Sequence, residues 1–157
     1  MSDDALRKAL CDEALTWLDT PYRSVGKLKG VGVNCAMIFF LAGKASGVLA
    51  ADVPEPSWYT PQFASNNKEE RLINYLTSYG AAEIKKEDLG PGDVIAYKSG
   101  LSHGHLALVI DFPSILHVMP AHGCQMGLYN EGVLAKFSMR FFTFFHVDIP
   151  QPAAGTA

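Results

Sequence analysis

The run Asn34-Cys35-Ala36-Met37-Ile38-Phe39-Phe40-Leu41-Ala42 constrains the fold more than any other stretch, because a helix apolar on all sides has to be buried on all sides. Asn34 is a strong N-cap: its side-chain oxygen can accept from a free backbone N–H one turn on, so a helix is expected over 35–46, closing near Gly47. Cys35 then falls in the first turn. The unpaired N–H groups and the positive end of the helix dipole there favour thiolate over thiol, whereas burial would favour the thiol. Thr20-Pro21-Tyr22-Arg23 and a turn-rich segment with Gly26, Gly30 and Gly32 lead into this helix. These glycines are not a phosphate loop, since Val33-Asn34-Cys35 stands where a lysine and a Ser or Thr would be needed.

The remaining elements group by type. Leu6, Ala9, Leu10, Ala14, Trp17 and Leu18 recur at helical spacing, which predicts a first helix over 3–18 with Cys11 as packing beside its apolar stripe. Residues 50–67 combine Pro54, Pro56 and Pro61 with Trp58, Tyr59 and Phe63, too proline-rich for a regular element. They read as a packed surface loop, either a substrate-facing lid or an aromatic anchor. Asn67 with Glu70 three positions on has the pattern of a capping box, and Leu72, Ile73, Tyr75, Leu76 and Tyr79 follow as a third helix. After Leu89-Gly90-Pro91-Gly92-Asp93 come β-rich runs at 94–97, 106–110, 115–118 and 141–149. Helices first and strands after predict an α+β fold, N-terminal helices packed on a small antiparallel sheet, in one domain over 1–149 with a loose tail at 150–157.

Composition excludes several functions. At 157 residues the chain can bury one core without disulfides or metal, and a net charge of −3 lacks the basic surplus that nucleic acid attracts. The three cysteines, Cys11, Cys35 and Cys124, are scattered, so neither a disulfide framework nor a zinc spacing is suggested. The acidic N-terminus precedes an amphipathic segment, so no signal peptide and no membrane span are expected, and action outside a cell would need another carrier.

A cysteine nucleophile needs a base within reach and a group that orients the base. Of the five histidines, His105 opens a β-rich run beside Gly104, which leaves space for another backbone or a ligand, and suits the base. His117 lies in a half-buried strand and suits the orienter. His103 and His122 fall in loops and are expected to be solvated; His146 is expected at the core edge. In a simple tight hairpin His117 would lie opposite position 108 or 109, roughly 10–13 Å along the strand from His105, so a bulge or strong coiling has to bring the rings together.

The order Thr-Pro-Tyr-Arg, Gly-rich turn, cysteine at a helix start, Gly-Pro-Gly-Asp-Val, then His105-x-Ala-x-Val and Ile-x-His twelve positions on resembles the NlpC-type bacterial cell-wall cysteine peptidases, a papain-like family. Residues 30–35 look like the phage-tail-associated branch. The resemblance implies Cys35 as nucleophile, His105 as base and His117 as orienter. It also implies the Tyr22 hydroxyl and the Cys35 N–H as oxyanion donors, the peptide stem of peptidoglycan as substrate, phage-tail proteins as partners, and no metal or organic cofactor. The family usually has Asp before the cysteine and a small pair after it, where this chain has Asn34, Ala36 and Met37; Ser24-Val25-Gly26 replaces its usual Trp-Gly-Gly. A non-catalytic tail or assembly module that keeps the papain-like shell is the alternative. A metal hydrolase built on His103 and His105 lacks an evident third ligand.

Overall fold

A computed structural model describes residues 1–56, 59 and 63–145. Helix α1 (Asp3–Leu15) is capped by Ser2, whose Oγ accepts from Ala5 N, and it stops three residues short of the expected end. Trp17 stays buried in the turn that follows, and Asp19 takes a left-handed φ of 69° there. The glycine-rich segment is a small antiparallel ribbon, β1 (Lys27–Leu28) with β2 (Gly32–Val33), rather than a plain loop. Helix α2 (Cys35–Ser46) has the expected bounds, with Asn34 Oδ1 accepting from Ala36 N and Met37 N, and Gly47 closing it at φ 83°.

Two expectations between α2 and the sheet are corrected. A short helix α3 (Phe63–Asn66) lies in the stretch read as irregular, and α4 (Arg71–Ser78) begins without a capping box. Asn67 Oδ1 instead accepts from Glu69 N in a local turn, and the Glu70 carboxylate binds a distant loop. A local side-chain turn competes with helix nucleation and wins here.

Six antiparallel strands form the main sheet: β3 (Ala82–Ile84), β4 (Val94–Tyr97), β5 (His105–Asp111), β6 (Ser114–Met119), β7 (Gly123–Leu128) and β8 (Met139–Thr143), ordered β3-β8-β4-β5-β6-β7. The edge strands β3 and β7 were not expected; β7, with Gly123, Gln125 and Gly127, has little β-propensity and is recruited by pairing with β6. The last expected strand, 141–149, begins two residues early and ends at Thr143, before a bend at 144–145; residues 146–149, His146 among them, and the tail at 150–157 lie outside the described residues. One sheet face buries Leu106, Leu108, Leu116 and Val118 with α1, α2 and α4; the other buries Ile95, Tyr97, Ala107, Val109 and Ile115 with Leu134. The Gly-Pro-Gly-Asp turn is fastened by Asp93, fully buried, which accepts from Arg7 Nη1 (3.0 Å), Thr143 Oγ1 (2.6 Å) and Gly90 N (2.8 Å).

The register between β5 and β6 decides the site. Ala107 pairs with His117, Leu108 with Leu116 and Val109 with Ile115, but Asp111 pairs with Ser114, so Ile110 is an extra residue in β5. Without the bulge, Ile110 pairing with Ile115, His117 would face Leu108 and point to the helices. With it, His117 shares a face with Ala107 and His105.

Candidate active site

Cys35 stands at the start of α2, with Sγ 3.9 Å from Gly104 O at the head of β5. The N-cap that places it also ties the preceding loop: Asn34 Nδ2 donates to Ser24 O at 2.9 Å, a bond an aspartate could not make. That donor gives the departure from Asp a physical reason. His105 Nε2 and His117 Nδ1 are 3.0 Å apart, with the rings edge to face. The bulge at Ile110 is what closes the distance that the simple hairpin left open.

Cys35, His105 and Tyr22 line one cleft of about 280 Å³, together with Met119, Pro120, Val133 and Phe137. The Tyr22 hydroxyl is buried and makes no hydrogen bond among the described residues, so it is a free donor at the cleft wall. Burial, and then the nearby Cys35, raise its pKa, which keeps the proton on the oxygen. The chain around Tyr22 is held to the residue just ahead of the Asn34 cap of α2, since Val33 N donates to Pro21 O and Arg23 N to Val33 O.

Tyr59 is the site residue that pattern reasoning did not single out. Its hydroxyl is 2.9 Å from Cys35 Sγ and donates to Gly104 O at 3.2 Å. Among the described residues no hydrogen bond joins Sγ to the His105 ring. The aromatic cluster around 58–63 marked the loop, but without a period nothing distinguished Tyr59 from its neighbours. Residues 57, 58 and 60–62 of that lid-or-anchor segment lie outside the described residues.

The electrostatics correct the expectation of a thiolate at rest. Cys35 is 3% exposed, and burial raises its thiol pKa; the Tyr59 bond and the backbone N–H groups of Leu106, Cys35 and Ala36 offset this only in part. Helix-end effects are worth about 0.3–1 kcal/mol at exposed positions, less than the desolvation of a buried ion. Cys11 and Cys124 are buried too, their thiols pushed up to about 11 and about 12, first by burial. Cys11 Sγ lies 3.6 Å from Val109 O, a packing role.

His103 is not solvated. Only 7% exposed, it places its Nδ1 3.0 Å from Glu70 Oε2, and its backbone N donates to the same oxygen at 3.1 Å. This pair fastens the start of α4 to the loop ahead of β5, and it commits His103 to Glu70 while His105 is committed to His117. Gly104 is filled in turn by α3, since a Cβ there would lie 2.4 Å from the Ala64 Cβ. His122 is exposed, as expected.

Burial, followed by the charge of His117, pulls His105 down to about 3. Its folded pKa therefore lies below the unfolded value near 6.5, so the unfolded chain binds the extra proton between those limits. Stability is full above pH 6.5 and is expected to fall toward pH 3, by about 1.4 kcal/mol per pH unit from this residue. Denaturant midpoints measured from pH 7 to pH 4 should therefore drop more steeply for the wild type than for His105→Gln; parallel curves would exclude a buried neutral imidazole.

No protein-family profile matches the sequence, and no curated protein matches it significantly. Solved structures do. The NlpC/p60 domain of the peptidoglycan hydrolase SagA is similar with a TM-score of 0.58 and 15% identity, over 85% of this chain and 96% of that one. An NLP/P60-family protein similar to lipoprotein, from Staphylococcus aureus, gives 0.63 and 18% over 92% of this chain and 43% of its own. An NlpC/P60-family protein from Bacillus cereus gives 0.56 and 17%, over 85% and 39%. This chain thus spans less than half of the latter two. Its fold is the papain-like α+β fold of NlpC/p60 domains, and no helix among the described residues is long and apolar enough to cross a membrane.

Proposed function

We propose that this chain is an NlpC-type cysteine peptidase that hydrolyses an amide bond in the peptide stem of bacterial peptidoglycan through an acyl-enzyme. The observation that carries the reading is His105, bonded behind to His117, lining the same cleft as a cysteine at a helix start. In the reaction the substrate carbonyl displaces the Tyr59 hydroxyl, and the Cys35 S–H turns to His105. His105 takes the proton as Sγ attacks, and the oxyanion accepts from the Cys35 N–H and the Tyr22 hydroxyl. His105 then returns the proton to the departing amine. A water, deprotonated by His105, attacks the thioester and releases the acid and the thiol. Because the thiol is raised and His105 lowered, the ion pair forms only as substrate enters.

The cleft suits a peptide with unlike ends. Met119, Pro120, Val133, Leu134 and Phe137 make an apolar wall on the histidine side. Beyond Tyr59 a recess of about 200 Å³ is lined by Met37, Asn34, Lys27 and Glu55, the last two in an ion pair of 3.1 Å. A stem peptide has aliphatic alanines beside residues that bear amines and carboxylates, which fits both. Delivery by a phage tail is the route that the resemblance of residues 30–35 favours. The burial of Cys35 favours a second reading, a non-catalytic tail or assembly module that keeps the shell.

Hydrolysis of purified peptidoglycan fragments by three His117 variants tests the peptidase. His117→Ala is expected to lower kcat/KM by about 10²-fold, within the range for general-base support, with the fold retained. His117→Asn should recover about tenfold of that, since its amide oxygen can still accept the His105 N–H. His117→Leu should be no better than Ala. Leu at wild-type activity would remove His117 from the site, and a wild-type protein inert toward all fragments would leave the module reading.

A further inference from the structure

One ring proton lies between His105 Nε2 and His117 Nδ1, and the chemistry fixes which nitrogen owns it. If His105 is to accept the thiol proton at Nδ1, its own proton must sit on Nε2 and be donated to His117 Nδ1. His117 must then carry its proton on Nε2, the nitrogen facing β7. What stabilises that tautomer is written in the geometry of Gly127. This residue lies two positions from Gln125, the partner of His117, and so on the same face. A Cβ on Gly127 would stand 2.7 Å from Glu131 Oε1 and 3.6 Å from His117 Nε2. The carboxylate and the ring nitrogen therefore flank one small gap, which exists because Gly127 has no side chain. Glu131 Oε1 is held there by Leu128 N, which donates to it at 3.0 Å in the turn after β7.

We propose that Glu131 is a positioning residue of the site: across the side-chain-free Gly127, its carboxylate holds His117 in the Nε2–H tautomer and thereby orients His105 toward Cys35. The proposal rests on the reading of His105 as the base. The same carboxylate stabilises positive charge on the histidine pair once the thiol proton has moved. The groups that face His117 are His105 from β5, Glu131 from beyond β7, His122 from the β6–β7 turn, and the uncharged Gln125. Burial lowers the His117 pKa most, Glu131 raises it, and His122 lowers it. An anion within about 4–6 Å favours the imidazolium without a direct hydrogen bond.

Glu131→Gln tests this, because glutamine keeps an oxygen for Leu128 N and so keeps the turn. In ¹⁵N NMR titrations of the substrate-free protein, wild-type His117 should be the Nε2–H tautomer. In Glu131→Gln that tautomer should lose population and the His117 pKa should fall by about 0.5–1. With peptidoglycan fragments the variant should lose about 3–10-fold in kcat at unchanged KM, with the acid limb of its pH profile displaced downward. Gly127→Ala, which pushes the carboxylate away, should reproduce the NMR shift. An unchanged tautomer and pKa in Glu131→Gln overturn the proposal. The NMR result needs no substrate, so a protein with the shift but no hydrolysis keeps the positioning role and loses the peptidase reading.

Discussion

Cys35→Ser is expected to reduce hydrolysis of peptidoglycan fragments by about 10⁴-fold or more while leaving the melting temperature within a few degrees of wild type. An alcohol is far less acidic than a thiol, and His105, held neutral and buried, is poorly placed to deprotonate one. The substitution is close to isosteric, and the serine hydroxyl can keep the contact that Sγ makes with Tyr59. Activity and stability should therefore separate cleanly. Circular-dichroism melts beside a fragment-release assay measure both, and a serine variant within tenfold of wild type would show that the nucleophile lies elsewhere.

Tyr59→Ala should raise the rate of Cys35 alkylation by iodoacetamide by about tenfold. Tyr59 and Cys35 are 8% and 3% exposed, and the tyrosine hydroxyl already occupies the approach to Sγ. Removing the ring opens that approach and hydrates the thiol, which lets its raised pKa relax toward the ordinary range. Cys11 and Cys124 are internal controls, since neither touches Tyr59, and peptide mapping by mass spectrometry reads all three thiols in one sample. Already in the wild type Cys35 should be labelled fastest, because it alone of the three lines the cleft with His105. An unchanged Cys35 rate in the variant would mean that Tyr59 does not restrict the thiol; equal labelling of all three in the wild type would favour the non-catalytic module.

What could be read in advance was whatever one segment decides by itself. The α2 bounds followed from Asn34 and Gly47, and the central strands from runs of Val, Ile and Leu. What escaped depended on partners distant in sequence. Asn67 looked like a cap but closes a local turn, and Glu70 reaches His103, thirty-three residues on. Strand β7 has little propensity of its own and forms because β6 offers an edge. Position at a helix start suggested a reactive thiolate, yet the charge state of Cys35 is set by how completely the neighbours bury it, which no local pattern reveals. Candidate site residues were nameable by type and order, whereas Tyr59 and Glu131 emerge only once the chain is folded.

The extra residue at Ile110 gives the two histidines an unusual kind of inheritance. Nothing in the identity of isoleucine makes His117 face His105; its being left unpaired between Val109 and Asp111 does. Over the hairpin that joins β5 to β6, letters can drift freely so long as buried positions stay apolar, but a residue added to β5 or taken from β6, with the turn and the single bulge kept, would set Leu108 opposite His117 and turn the ring toward the helices. The information that assembles the pair is thus stored as a length, and a lineage could lose the pair through a single-codon insertion in β5 that leaves both histidines in place.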